Sequence, residues 1–417
     1  MGIIIRKEYY KFKIFMFIYW LMMVSTVGMY TMYIADAGFS KKEISIAVSI
    51  FTFSTFIGRN LIGYLADRFK SVKKILFISI IIGAIATIAL LFSKDRWVIN
   101  IIILLWGIFF NGSVPLSEAW YIEVLKENGD QNKFGTIRGF GSIGYSLSAI
   151  LLGLLLEKFG WDIYAWYILI SVCFLLLSIL WIAESKEVKF YKAAGGKRDK
   201  GDVSVKEGLA QIIKIRPLMY ILIILFMYFF VVKGIYVYLG VLVSDSGGGP
   251  LSLGFAYFFD STPELISFFL TSRLLRKYHS KNLIFAAIIL QIARLLLILV
   301  FSSSLAIILM GTLSGLAYGL IAAVYKTYIY ELAPEKYKVS CLGLGESVIG
   351  LSGVVSAPFF GFMIINFGTY ASIAVGLAIG TAAALILAGN IFKKSGRQGE
   401  NHGITNNMEP PLKQLKK

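Results

Sequence analysis

Cysteine and histidine are almost absent from this chain: its 417 residues hold two of each. Cys173 and Cys341 stand at no ligand spacing, in or beside apolar runs where a cysteine packs as a small hydrophobe, so neither a disulfide framework nor a zinc site is expected. His279 and His402 fall outside the apolar runs. No Ser/His/Asp set, H-E-x-x-H or paired-cysteine motif occurs, and the chain is expected to be no enzyme and to hold no cofactor and no metal. Charge is scarce too, 16% of residues against 57% hydrophobic. The long apolar runs lack a period of two, which excludes a transmembrane barrel.

Long polar stretches are also rare. The only one inside the chain, "ESKEVKFYKAAGGKRDKGDVSVKEGLAQIIKIRP" at 184–217, is too short for a catalytic or signalling domain and reads as a linker. Its later part, "VSVKEGLAQIIKI", suits either a short interfacial helix or a solvated loop.

What the chain has in abundance is apolar sequence. A helix needs about 20 residues to cross a ~30 Å hydrocarbon core. Runs of that length recur near 10–34, 44–66, 75–93, 98–122, 136–157, 162–183, 217–242, 252–274, 282–301, 305–330, 341–365 and 370–392. The fold expected is an all-α membrane protein of twelve transmembrane helices in two six-helix bundles related by pseudo-two-fold symmetry. Residues 1–183 form the first bundle, 184–216 the cytoplasmic linker, 217–392 the second bundle and 393–417 a polar, disordered cytoplasmic tail. The first run is too long for a signal peptide and has no small-residue cleavage site, so it is expected to be retained.

The net charge of +17 is distributed by side. With the N-terminus inside, most Lys and Arg fall on cytoplasmic segments, the positive-inside asymmetry. Both termini are then cytoplasmic on a multi-pass protein of the cell membrane, and the Ile/Lys-rich make-up fits a bacterial one. The basic face meets an anionic lipid leaflet, not nucleic acid. The expected unit is a monomer.

An ungapped offset of 208 residues (315 − 107) aligns spans four and five with ten and eleven. It matches Gly107 with Gly315, Ser148 with Ser356, Ala149 with Ala357, Gly153 with Gly361 and Gly160 with Gly368. It also places Glu118 on Lys326 and Arg138 on Glu346, an acid and base exchanged for a base and acid. Parallel repeats of this kind put a solute site between the halves of a transporter.

Three stretches carry a family resemblance. "GYLADRFKSVKK" at 63–74 resembles the G-x-L-x-D-R/K-x-G-x-R/K loop between spans two and three of the major facilitator superfamily, with Gly63, Asp67 and Arg68 matching and Lys70 replacing the usual glycine. "FNGSVPLSEA" at 110–119 and "FGTIRGFGSIGY" at 134–145 resemble spans four and five of its oligosaccharide:proton symporter branch, the lactose permease-like group. The resemblance implies secondary active transport, with protons and a sugar or similarly hydroxylated solute as partners. Glu118 and Arg138 would bind hydroxyl groups, with Asn111, Trp120 and Tyr145 completing the solute site. Gly63, Asp67 and Arg68 would form a gating loop.

The other charges within spans lie in the second half: Lys233, Asp260, Glu264, Arg294, Lys326 and Glu346. Three acids face three bases, which favours mutual neutralisation. "PELIS" and "QIARLLL" resemble the branch's motifs in spans eight and nine, making Glu264 and Arg294 the expected coupling pair, with Asp260 one turn from Glu264. Glu346 is expected to meet Lys326 or, with polarity swapped, Lys233. The branch's histidine and glutamate of span ten have no counterpart in "GTLSGLAYGL". Two rival readings are a drug or metabolite:proton efflux antiporter of the same superfamily and a membrane-embedded enzyme or sensor. The absence of proline from span five disfavours the antiporter. The lack of any catalytic set or soluble domain disfavours the enzyme or sensor.

Overall fold

The computed structural model describes residues 2–69, 71–127, 134–182, 212–334 and 337–404. Within hydrocarbon every backbone N–H and C=O has to pair inside the protein, and a single apolar run does so only as a helix. The membrane-length helices are α1 Tyr9–Asp36, α2 Lys41–Phe69, α3 Val72–Leu91, α4 Arg96–Ile122, α5 Thr136–Phe159, α6 Trp161–Trp181, α7 Arg216–Tyr236, α8 Pro250–Lys277, α9 Ser280–Phe301, α10 Ser304–Leu332, α11 Ser340–Phe367 and α12 Thr369–Gly389. Eleven are apolar enough to cross a membrane by composition alone. The exception is α8, which carries Asp260, Pro263 and Glu264 near its middle. No strand occurs among the described residues.

Local chemistry sets the helix ends. Ser71 accepts from the Lys74 N–H, Asp95 from those of Trp97 and Val98, and Ser303 from that of Ala306, capping α3, α4 and α10. The helices α5 and α11 stop at Gly160 and Gly368, whose φ angles of 73° and 87° favour glycine. Two ends differ from expectation. Helix α2 runs to Phe69, so Gly63, Asp67 and Arg68 occupy its last turns instead of a loop. The last helix continues from Thr369 to Ile404, so the tail does not become irregular at 393. Residues 405–417 and most of the linker, with its expected interfacial helix, lie outside the described residues.

The helices pack in a repeated pattern. Among the first six, α1 packs on α5, α2 on α4 and α3 on α6; among the last six, α7 packs on α11, α8 on α10 and α9 on α12. The two sets meet through α5 against α8 and α2 against α11, contacts that exchange under the same six-helix shift. Glycines related by the 208-residue offset sit at equivalent crossings. A Cβ on Gly107 of α4 would collide with Ser54 of α2, and one on Gly315 of α10 with the Asp260 carbonyl of α8. Between the sets, Gly153 of α5 lies on the backbone of Pro250 and Leu251, while Gly361 of α11 lies against Ser45 and Tyr238. Outward stripes such as Ile170, Phe174 and Leu177 on α6 are exposed at helical spacing and suit contact with lipid.

Gly361→Ala forces Ser45 and Tyr238 apart and is expected to cost about 1–3 kcal/mol, visible as a lower melting temperature of the detergent-solubilised protein. Gly63 has open space around it, so Gly63→Ala should leave that temperature unchanged or raise it. Equal melting temperatures for wild type and Gly361→Ala would contradict a tight crossing.

Candidate functional site

A cavity of about 280 Å³ lies where the two six-helix sets face each other, near the lower end of small-molecule sites at roughly 300 Å³. The first set contributes Trp20, Thr52, Thr55, Arg59, Asn111, Arg138 and Tyr145 to its wall. The second contributes Lys233, Tyr236, Asp260, Glu264, Ser314 and Tyr318. Asn111 ends a π-helical segment of α4, Trp106–Asn111, and donates to Thr55 Oγ1 at 3.1 Å. A second π-helical segment, Val24–Met29, interrupts α1 beside the cavity.

One end of the cavity is shut by contacts between the sets. The hydroxyls of Tyr145 and Tyr236 share a hydrogen bond of 2.7 Å, Tyr257 donates to the Gly28 carbonyl at 3.1 Å and the hydroxyls of Tyr238 and Ser45 share one of 3.2 Å. Ser146 also hydrogen-bonds Ser261. Beyond them Lys41 pairs with Asp245 at 2.7 Å. Toward the opposite end, Phe56, Arg59 and Tyr318 are exposed.

Arg138 organises the site. Its guanidinium carbon lies 4.3 Å from the centre of the Trp20 ring. Its Nε is 3.4 Å from Glu118 Oε1, and its Nη2 is 3.8 Å from Glu264 Oε1. Exposure falls from 33% for the Glu118 side chain to 18% for Arg138 and 12% for Glu264. An isolated carboxylate in an apolar run would be costly; Glu118 is held by a guanidinium from the next helix. One cation thus serves an acid of its own set and an acid of the other.

The remaining charges sort themselves differently. Arg294, buried, donates to Ser314 at 3.0 Å, and Ser314 lines the cavity together with Asp260. Lys326 pairs with Glu346 at 3.1 Å, and Tyr325 donates to the same carboxylate at 2.6 Å. Lys233 donates to the Ile349 carbonyl at 2.6 Å.

Several sequence expectations change in consequence. Glu264 pairs with Arg138 of the other set and not with Arg294, because α8 lies between α5 and α10 and its two acids turn to different neighbours. Lys233 does not pair with Glu346, whose carboxylate is taken by Lys326 and Tyr325. Trp120 is outside the cavity, buried against Phe12 and Phe15 at ring distances of 5.3 and 5.5 Å. Two residues beyond Glu118 on a helix is a rotation of roughly 200°, the opposite face. Asn111 and Tyr145 do line the cavity. Asp67 and Arg68 are exposed and distant from it. Sequence reasoning missed Trp20, Arg59 and Tyr318; only an aromatic or basic side chain inside an apolar run signalled them.

Arg138→Ala leaves Glu264 without its counter-charge and is expected to destabilise the protein by about 3–5 kcal/mol, while adding Glu264→Gln should restore much of that loss. Lys326 and Glu346 are 58% and 53% exposed, so neutralising either should cost less than about 1 kcal/mol. Chemical denaturation of the three single variants and the double variant measures this ordering, and a reversed order would contradict it.

Residues 9–375 match the MFS_1 like family. The chain is 21% identical to the maltose permease of Geobacillus stearothermophilus over 313 residues, 75% of this chain and 76% of the relative. Among solved structures, the nucleoside transporter NupG superposes with a TM-score of 0.72 at 14% identity, covering 92% of this chain and 98% of that one. The human organic anion transporter MFSD10 (TETRAN) gives 0.61 at 14% identity, covering 92% and 99%. At these identities the structural likeness establishes the fold, and the family match spans most of the chain. The chain therefore belongs to the MFS_1 like family of the major facilitator superfamily, and is a secondary transporter and not an enzyme.

Proposed function

We propose that the protein takes up a sugar or similarly hydroxylated small solute together with protons, by alternating access. The observation that carries this reading is the position of Arg138 between Glu118 and Glu264. Charge-assisted N–H···O contacts close at about 2.7–2.9 Å, and both of these are longer, 3.4 and 3.8 Å. A hydroxyl fits such a loose bridge, since it donates to a carboxylate while accepting from a guanidinium. Trp20 offers an aromatic edge and a donor, Nε1, that has no hydrogen-bond partner within the protein. Asp260 Oδ1 and Glu264 Oε1 are likewise without hydrogen-bond partners. Each such group costs about 1–3 kcal/mol while unmet, and solute hydroxyls that reach them would recover it. The maltose permease and the nucleoside transporter are named for solutes that carry hydroxylated sugar rings, which agrees with this reading.

Proton coupling follows from the same bridge. Glu264 belongs to α8 and Arg138 to α5, so their pair ties one six-helix set to the other. A proton on Glu264 removes that tie, leaves Arg138 with Glu118 and lets the sets rock about the cavity. Asp260, Ser314 and Arg294 lie within the second set and stay together, and Lys326 with Glu346 is a second intra-set pair. With the positive-inside orientation, the exposed end of the cavity faces the cytoplasm and the shut end the exterior. Asp67 and Arg68, at the end of α2, would meet their partners when that cytoplasmic end closes.

In proteoliposomes, Glu264→Gln should lose uphill accumulation driven by a pH gradient yet keep counterflow, because the amide mimics the protonated acid. Glu118→Gln and Arg138→Lys should lose both, the lysine lacking the planar fork. Normal uphill accumulation by Glu264→Gln would remove it as the coupling acid. Solute added to right-side-out vesicles should alkalinise the medium; acidification would favour the efflux antiporter.

A further inference from the structure

We infer that the cavity contains a second subsite, formed by Lys233 of α7 and Arg59 of α2, that binds an anionic group, so that the solute carries a carboxylate or phosphate beside its hydroxyls. The anionic part stands on the charges below, and the hydroxylated part rests on the function proposed above.

Five charged side chains line the cavity: Arg59, Arg138, Lys233, Asp260 and Glu264. Arg138 is matched by Glu264 and Glu118, and Asp260 has the charge of the buried Arg294 of its own set acting on it. Lys233 and Arg59 remain, one from each set, and neither has a salt bridge among the described residues. An ammonium has three donors. That of Lys233 spends one on Ile349 O and otherwise lies 5.7 Å from the centre of the Phe229 ring. Glu346, which could have neutralised it, is held by Lys326 and Tyr325. The lysine stem is fitted across α11 at Gly353, where a Cβ would come within 3.0 Å of its Cδ. Arg59 lines the same cavity, and both it and Glu346 act on the Lys233 charge, Arg59 opposing it and Glu346 favouring it. Intramembrane cations that face a cavity without a salt bridge are functional by default, and an anion held by both would add charge-assisted contacts where the two now repel. Arg138, Glu118 and Glu264 then orient the hydroxylated end, and Lys233 with Arg59 the acidic end.

The purified protein should be titrated calorimetrically with glucose and uridine, with glucuronate, glucose 6-phosphate and uridine 5′-monophosphate, and with benzoate and glutarate as anions lacking hydroxyls. At least one hydroxylated anion is expected to bind about tenfold or more tightly than its neutral counterpart, the scale of one charged hydrogen bond. That ratio should fall toward one in Lys233→Met and in Arg59→Gln and recover in Lys233→Arg. Glucose or uridine binding as well as its anionic counterpart, or a preference unchanged by both substitutions, overturns the subsite and leaves the hydroxylated-solute reading standing. Binding of only benzoate or glutarate, lost in Lys233→Met, supports the subsite and removes the hydroxylated solute. No binding by any compound overturns both. If Lys233→Met fails to fold, Arg59→Gln and the wild-type ratio decide.

Discussion

A charged side chain left in hydrocarbon costs roughly 2.5 kcal/mol or more, and the interior of this transporter is arranged around that penalty. Arg138, Glu118, Glu264, Asp260 and Arg294 all turn away from lipid toward the seam or into the second six-helix set. The outward surface is left to side chains such as Ile170, Phe174 and Leu177. Because the penalty applies to acids and bases alike, each charge requires either a partner or water. The cavity lies where both are within reach.

The partners are of two kinds. Asp260 and Arg294, whose buried guanidinium donates to Ser314, both lie wholly inside the second set. One turn along the same helix, Glu264 reaches across to Arg138 of the first set. The helix α8 therefore carries a fixed acid and a bridging acid four residues apart, and the second distance is long enough to be broken without dismantling either set.

The spans were legible in the sequence because hydropathy is a local property, and each run of about 20 apolar residues became a helix. The 208-residue repeat was legible at glycines for an equally local reason: a crossing this close leaves no room for a Cβ, so Gly107 and Gly315, and Gly153 and Gly361, recur where the crossings recur. The inward turn of the charges was legible as well. Their partners were not. Whether Glu264 meets Arg294 or Arg138 depends on the rotation of α8 between two neighbours, which no spacing within α8 encodes. Trp120 stood close to Glu118 in sequence and on the far side of the same helix, whereas Trp20 reached Arg138 from α1 with nothing in its own run to mark it. Arg59 lay near a span end, where long basic side chains ordinarily snorkel to water.

The crossings at Gly153 and Gly361 differ mechanically from ordinary helix contacts. Long side chains mesh as ridges in grooves, and parting them means unlocking rotamers one after another. A glycine resting on backbone, as Gly153 does, or on a serine hydroxyl, as Gly361 does, has no teeth. The joints between the two six-helix sets are in this sense plain bearings: they resist compression, because a carbonyl or a serine hydroxyl lies directly beneath the glycine, but they offer little grip against lifting or sliding. Resistance to separation at those points falls instead to discrete polar clasps, the Tyr145–Tyr236 and Lys41–Asp245 contacts among them, each of which can be released by water without disturbing the packing on either side.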